Sequence, residues 1–449
     1  MENQDQAAAN WSRVQLLAFR FAFVYLILYY LPFPFGVLPH TVRLAQKYES
    51  LWHQLVPWVG RHVLHLSREI MTTTNCSGDT TYEYVRVLCF LVLAFAATVL
   101  WSVLDRSPSN YQRIHEWLRS YVRLSVGAAI LMYGAAKIFR MHFPQPNLYK
   151  LLEPLGDYSP MSLLWTFTGA SRGYSIFAGC VQMFGGILLF VPRLTTLGAL
   201  VGLVVFSNIF ALNLGYDLPV KLYSLHILLV CFFLVLPDAR RLVNFFSLNR
   251  SVAPAPLTAL FNHRRLNTGA LVAQLTLGGF LVCSFLYRTY DYEKQNFGMA
   301  SRPPFYGIWI VDEFMLGGKV LPPLLMDETR WQRVVFQFPK KVSIQSMNGS
   351  WMGYWLRGDI AKNTFTMQEP DDPKKQFEFT FSNPDSRSLT LEGSDGGNEI
   401  RVKLRRVDEK QFALLGEGFH WINEDADLLM DEESVCDHVK RSSGALLTR

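Results

Sequence analysis

Half of the 449 residues are apolar and 14% are aromatic, whereas only 18% are charged. Soluble domains usually carry about a quarter charged residues, so a single soluble globule is excluded, and a chain held largely in lipid is indicated. The net charge of +6 is modest and is not gathered into a basic stripe, which excludes nucleic acid as a partner because that partner needs such a footprint.

Crossing about 30 Å of hydrocarbon takes roughly 17–25 apolar residues in a helix. About seven runs meet that need: Val14–Leu31, Tyr84–Leu104, Val122–Phe139, Tyr174–Val191, Thr195–Leu212, Leu222–Leu236 and Ala270–Tyr287. The sixth is the shortest. The first run lacks a small-residue cleavage site and runs into Pro32, Pro34 and Pro39, so it reads as an uncleaved anchor rather than a signal peptide. Between the first two runs, Leu51, Trp52, Leu55, Val56, Val59, Val63 and Leu66 recur near helical spacing. That pattern predicts an amphipathic helix within Thr41–Thr81, lying on the interface or covering the bundle.

Lys and Arg in the short loops set orientation. Arg13, Arg106, Arg113, Arg119, Arg193, Arg240, Arg241, Arg250, Arg264 and Arg265 fall on one side, more densely than the basic residues of the other. The expectation is a bacterial inner-membrane protein with a cytoplasmic N-terminus and an exported C-terminal domain.

From about Pro303 the pattern becomes strand-like. Arg333–Phe338, Val342–Met347, Trp351–Leu356, Thr364–Met367, Phe377–Phe381, Leu389–Glu392, Glu399–Leu404 and Phe412–Leu415 alternate with turn signals such as Asn348-Gly349. Short strands joined by tight turns predict an antiparallel sandwich or barrel, and their number suits a small lipocalin-like barrel. The fold class is thus an α-helical multi-pass membrane bundle followed by an all-β domain. Its parts are 1–121 (N-terminal spans and the interfacial helix), 122–238 (a four-helix unit), 239–302 (a cytoplasmic loop, the last span and a linker), 303–424 (the β-domain) and a charged tail, 425–449, expected to be disordered.

The six cysteines contain no C-x-x-C pair. Cys89, Cys180, Cys231 and Cys283 lie in apolar runs and read as small buried hydrophobes. Cys76 and Cys436 would both be exported, so a disulfide between them is a candidate. His53, His62 and His65 have no carboxylate or cysteine at a ligand spacing, and no metal site is expected. The rings of Trp309, Trp331, Trp351, Trp355 and Trp421 are expected to fill the β-domain core. Asp312 and Glu313, adjacent on a strand, are expected to face opposite sides.

Polar side chains inside spans are costly and mark pathways, pockets or helix contacts. Lys137 and Arg140 are three apart at the end of the third run and would share a helix face. Gln182 lies in the fourth run, Asn208 and Asn213 toward the end of the fifth, and Asp217, Tyr223 and His226 around the start of the sixth. If these helix ends meet, they form one polar cluster. The plainer readings are snorkelling for Lys137 and Arg140, interhelical hydrogen bonds for Gln182 and Asn208, and a satisfied core histidine for His226.

The stretch Arg123–Asp238 resembles the DoxX-like membrane family. The third run reads RLSVGAAILMYGAAKIF, with a small-residue face ending at Ala136-Lys137. The fourth and fifth read FAGCVQMFGGILLFVPRLTTLGALVGLVV, with Gly185, Gly186 and a Pro-Arg turn. The resemblance implies a four-helix bundle and a place in a membrane oxidoreductase assembly, with quinone as the implied cofactor. Quinone carbonyls would need donors such as Lys137, Tyr223 or His226 and apolar walls for the tail. Two readings of other classes stay open: a non-catalytic scaffold whose exported β-domain docks a protein partner, and a carrier of lipid or another apolar ligand.

Overall fold

The computed structural model describes residues 11–72, 77–105, 111–254, 259–298, 302–359, 362–372, 375–395, 397–416, 418 and 421–422. The chain divides into two compact units, Met1–Arg302 and Pro303–Arg449. Cys76, Cys436 and the tail 425–449 lie outside the described residues.

The first unit is helical: α1 Arg13–Tyr30, α2 Val42–His62, α3 Thr81–Leu104, α4 Gln112–Ile138, α5 Pro160–Ala170, α6 Arg172–Phe190, α7 Thr195–Gly215, α8 Lys221–Val235, the single-turn α9 Ala239–Leu242 and α10 Arg264–Phe297. Six stretches are long and apolar enough to cross a membrane: Arg13–Tyr30, Thr81–Leu104, Arg172–Phe190, Pro192–Gly215, Lys221–Ser247 and Arg264–Phe297. These are the spans of a multi-pass membrane protein. Their outer faces expose large apolar side chains such as Val92, Phe95 and Leu100 of α3, an exposure that soluble proteins avoid.

The short sixth run gains length from its surroundings. A 3-10 turn, α9 and a π turn carry it on to Ser247, for 27 residues in all. The helix of the third run, α4, also has 27 residues but is more polar. It is the central helix, with Val122, Val126, Leu131 and Ala135 fully buried. A helix surrounded by protein needs less apolarity than one facing lipid, so its arginines and lysine are tolerated.

Small residues set how closely the central helices approach. A Cβ on Gly134 of α4 would lie 2.9 Å from the Gly179 carbonyl oxygen of α6, and one on Gly179 would lie 2.7 Å from that of Gly134. One heptad along, Gly127 faces Gly186, with its oxygen 3.5 Å from a built Cβ. Two Gly-x6-Gly rows therefore meet along an antiparallel seam, the small-residue mode of membrane helix packing.

The amphipathic expectation holds for α2. Trp52 and Val56 pack on Tyr82, Val85 and Phe90 of α3, while Leu51, Trp58 and Val63 stay exposed. His62 Nδ1 sits 3.0 Å from the Trp58 carbonyl, and His53 packs on the Tyr82 ring. Helix α5 was not expected. Its start signal is present in the sequence: Ser159 caps the Ser162 N–H, and Pro160 takes the first turn, the usual arrangement at a helix N-terminus.

The N-terminus of α8 is capped from a distance. The Asp79 carboxylate accepts the backbone N–H groups of Lys221 at 2.7 Å and Leu222 at 2.9 Å. Carboxylates favour that position because they meet unpaired N–H groups and the positive end of the helix dipole. Asp79→Ala is expected to lower the stability of the detergent-solubilised protein by about 1 kcal/mol, read as a fall in its unfolding temperature. Asp79→Asn should retain part of that loss.

The second unit is a closed antiparallel barrel. Strands β1 Gly307–Leu316, β3 Trp331–Phe338, β4 Lys341–Ser346, β5 Trp351–Asp359, β6 Thr364–Gln368, β7 Gln376–Asp385, β8 Ser388–Asp395 and β9 Asn398–Arg406 follow as a meander, and β1 pairs with β9 to close it. The two-residue β2, Lys319–Val320, extends the end of β1. Seven expected strands appear as β3–β9. The eighth is supplied by β1 at the start of the domain. Phe412–Leu415, expected as a strand, instead runs into the short helix α11 Ala413–Gly416. Its Ala-Leu-Leu segment favours helix, and β1 already occupies the edge of β9.

Phe314, Phe336, Phe365 and Phe379 fill the barrel with Trp309 and Trp331, as eight strands leave just enough interior for side chains. Trp351, Trp355 and Trp421 are exposed instead. A bulge between Val311 and Glu313 also overturns the expected alternation. The extra residue lets Asp312 and Glu313 both reach the outer face, where they pair with Arg405 at 3.2 Å and Lys403 at 3.1 Å.

Candidate functional site

A cavity of about 370 Å³ lies within the helical unit, walled by α4, α5, α6, α7, α8 and the loop after α4. Lys137, Gln182, Asn208, Asn213 and Tyr223 all line it. Most of the remaining wall is apolar, including Phe143, Leu164, Val181, Phe206 and Ile209. Tyr174, Phe177 and Val204 of this wall are exposed on the outer surfaces of α6 and α7, so the cavity opens sideways toward the surface that lipid covers.

Gln182 and Lys137 bring polar groups to this cavity. The Gln182 carboxamide is almost fully buried, and both its oxygen and its nitrogen lack a hydrogen-bond partner. Lys137 is 8% exposed, and among the described residues its ammonium makes no ion pair. Its Nζ lies 5.9 Å from the centroid of the Phe143 ring. A buried carboxamide without partners is uncommon and costly, and beside an ammonium that makes no ion pair among the described residues it marks a place where a ligand would supply the missing bonds.

Local sequence explains the placement. Tyr133 and Lys137 are one helical turn apart on α4, so they share a face, and Tyr133 also lines the cavity. Asn213 donates to Ser224 Oγ at 2.9 Å, which joins α7 to α8. The His142 ring stacks on Phe143 at 4.5 Å and lies 5.8 Å from Tyr133. Burial, followed by the charge of Lys137, pushes the His142 imidazole down to about 4, so it is neutral at physiological pH.

Three residues expected in the cluster lie elsewhere. α4 ends at Ile138, and Arg140 adopts φ +49°, so the face it would have shared with Lys137 is lost. Arg140 instead meets Glu293 of α10 at 3.5 Å, beside Arg172 at 3.2 Å. Asp217, at φ +51° in the turn before α8, is mostly exposed and pairs with Lys221 at 2.6 Å. His226 points toward α1. Its Nδ1 is 2.6 Å from the Leu222 carbonyl, its Nε2 is 2.6 Å from the Tyr25 hydroxyl, and its ring stacks on Tyr29 at 4.1 Å. A carbonyl only accepts, so in the neutral ring Nδ1 donates and Nε2 accepts from Tyr25. His226 is a satisfied core histidine.

Sequence reasoning missed Tyr133, His142 and Thr168 as lining residues. The four-residue spacing of Tyr133 and Lys137 was a usable signal. His142 and Thr168 arrive through the loop after α4 and through α5, neither of which carries a span-length apolar run. A second cavity, about 650 Å³, shares Tyr133, Val220 and Tyr223 with the first. It also contains Arg86, which pairs with Glu49 at 3.0 Å. Among the described residues, no group of three or more His, Cys, Asp or Glu is placed to hold a metal ion.

Comparison with known proteins adds one relative. No family model matches the chain, and no solved structure matches it. An uncharacterized protein of Bacillus subtilis (strain 168), YwoB, is 26% identical over 138 residues, covering 29% of this chain and 87% of that protein. Most of YwoB is therefore similar to less than a third of this chain.

Proposed function

We propose that the chain is a DoxX-like membrane component of a redox or respiratory-type assembly, and that the cavity beside Lys137 binds the head group of a quinone. One observation carries this reading: an almost buried lysine that makes no ion pair among the described residues and a buried carboxamide without a partner line the same largely apolar cavity, which opens sideways. A quinone ring presents two carbonyl oxygens that need donors, and Lys137 Nζ and the Gln182 amide are donors without acceptors. Phe143 and Tyr133 add aromatic wall, and the opening past Phe177 and Val204 suits an apolar tail. His142, held neutral, leaves Lys137 as the cationic donor. The test is titration of the purified protein with a short-tailed ubiquinone analogue, followed by aromatic fluorescence quenching. Saturable binding that weakens in both Lys137→Met and Gln182→Leu supports the reading. Binding unchanged in both variants contradicts it.

A second reading has its own support. Trp351 and Trp355 lie four apart on β5 and both project outward, exposed. Exposed tryptophans are common anchors of protein interfaces, which favours a scaffold whose barrel docks a partner. The filled interior of the barrel gives no support to the apolar-carrier reading. Co-purification in mild detergent separates the cases: a partner lost with Trp355→Ala but retained with Lys137→Met favours docking.

A further inference from the structure

We propose that a separate basic pocket in the helical unit holds the phosphate-bearing head group of an anionic lipid. The pocket, about 540 Å³, lies among α4, the Pro192–Arg193 turn and α10. Arg119, Arg123 and Arg193 line it, and Glu116 is the acidic residue among its described lining. It is distinct from the Lys137 cavity. Arg123 and Lys137 are fourteen residues apart on α4, or about 21 Å along the helix axis, and the two linings share no residue.

The charge in this pocket is only partly balanced from within, three arginines facing Glu116. Arg123 is 3% exposed, and its guanidinium donates to two neutral oxygens, Thr195 Oγ1 at 3.2 Å and Gln274 Oε1 at 2.5 Å. Among the described residues neither Arg123 nor Arg193 makes an ion pair. Arg119 meets Asp238 at 3.5 Å, but that carboxylate also serves Arg241 at 2.6 Å, and the Arg119 Nε is buried without a partner. A buried guanidinium bonded only to neutral oxygens is costly, and an anion in the pocket would supply a direct counter-charge. Arginine forks match phosphate oxygens in geometry.

The remaining wall favours a lipid over a free anion. Leu271 and Leu275 of α10 line the same pocket, one helical turn apart, and both are exposed on the outer surface. An acyl chain would lie along them while the phosphate sits against the arginines. Basic pockets between membrane helices bind anionic head groups in this way.

The test uses the full chain, delipidated in an uncharged detergent. It is titrated with phosphatidylglycerol, with phosphatidylcholine of the same acyl chains, and with inorganic phosphate. Native mass spectrometry reads bound lipid, and thermal unfolding reads stabilisation. Phosphatidylglycerol should bind at least about tenfold more tightly than phosphatidylcholine, and Arg193→Gln should weaken it about fivefold. Arg123→Gln should abolish the preference. Because Arg123 also bonds to Thr195 and Gln274, the exposed Arg193 provides the variant that keeps the fold. Equal binding of the two lipids, a preference undiminished in Arg193→Gln, or equal stabilisation by inorganic phosphate would overturn the assignment. None of these outcomes depends on quinone binding at Lys137.

Discussion

Gly179→Leu is expected to cost the helical unit about 3 kcal/mol, the upper end of the range for overpacking, and to prevent its accumulation in the membrane. Even a Cβ at this position would sit 2.7 Å from the Gly134 carbonyl oxygen and 3.1 Å from the Ile138 backbone nitrogen. These are backbone atoms, so no rotamer change relieves the clash, and α4 and α6 must separate. Their separation would open the seam that holds Lys137 of α4 and Gln182 of α6 at one cavity. The informative control is Gly279→Ala in α10, where a built Cβ meets nothing within 4 Å. It should be neutral or stabilising by up to about 1 kcal/mol, because alanine favours helix over glycine. Yield of folded protein by size-exclusion chromatography and the unfolding temperature check both variants. Equal behaviour of the two would show that the close approach is unimportant.

Lys137→Met is expected to move stability and ligand affinity in opposite directions. The unpaired ammonium is buried among apolar side chains, and methionine fills similar space without the charge. The ligand-free protein should gain about 1–2 kcal/mol, below the cost of a charge at mid-membrane because Lys137 lies near a helix end. Affinity for a quinone analogue should fall ten- to a hundredfold, the equivalent of one hydrogen bond to a charged group. A lysine kept for packing alone would lower stability on substitution and leave binding unchanged. Unfolding temperature without ligand and the titration midpoint, measured on the same preparation, distinguish the two.

Apolar length alone marked the lipid-facing helices, because the hydrocarbon imposes one requirement on each of them. It marked α4 less well, since a helix surrounded by protein answers to its neighbours. The strands of the barrel were legible through alternation and turns such as Asn348-Gly349. The closing strand was not, because Gly307–Leu316 pairs with both β3 and β9 across long sequence separations, and no local pattern encodes that. At the cavity, Lys137 and Gln182 were legible as polar residues in apolar runs. His226 had the same signature, yet Tyr25, Leu222 and Tyr29 satisfy it, and a sequence does not reveal partners contributed by another helix. Arg140 failed for a local reason. The periodicity that would align it with Lys137 stops at Ile138, and Arg140's own left-handed conformation redirects the chain.

The central claim is that the Lys137 cavity is a quinone site. The most direct test is organic extraction of the full-length protein, purified from native membranes in mild detergent, followed by mass spectrometry of the extract. The account predicts a quinone at near one per protein in the wild-type sample and its loss from Lys137→Met, with phospholipid content unchanged. An extract holding phospholipid but no quinone, or quinone retained equally by Lys137→Met, would contradict it.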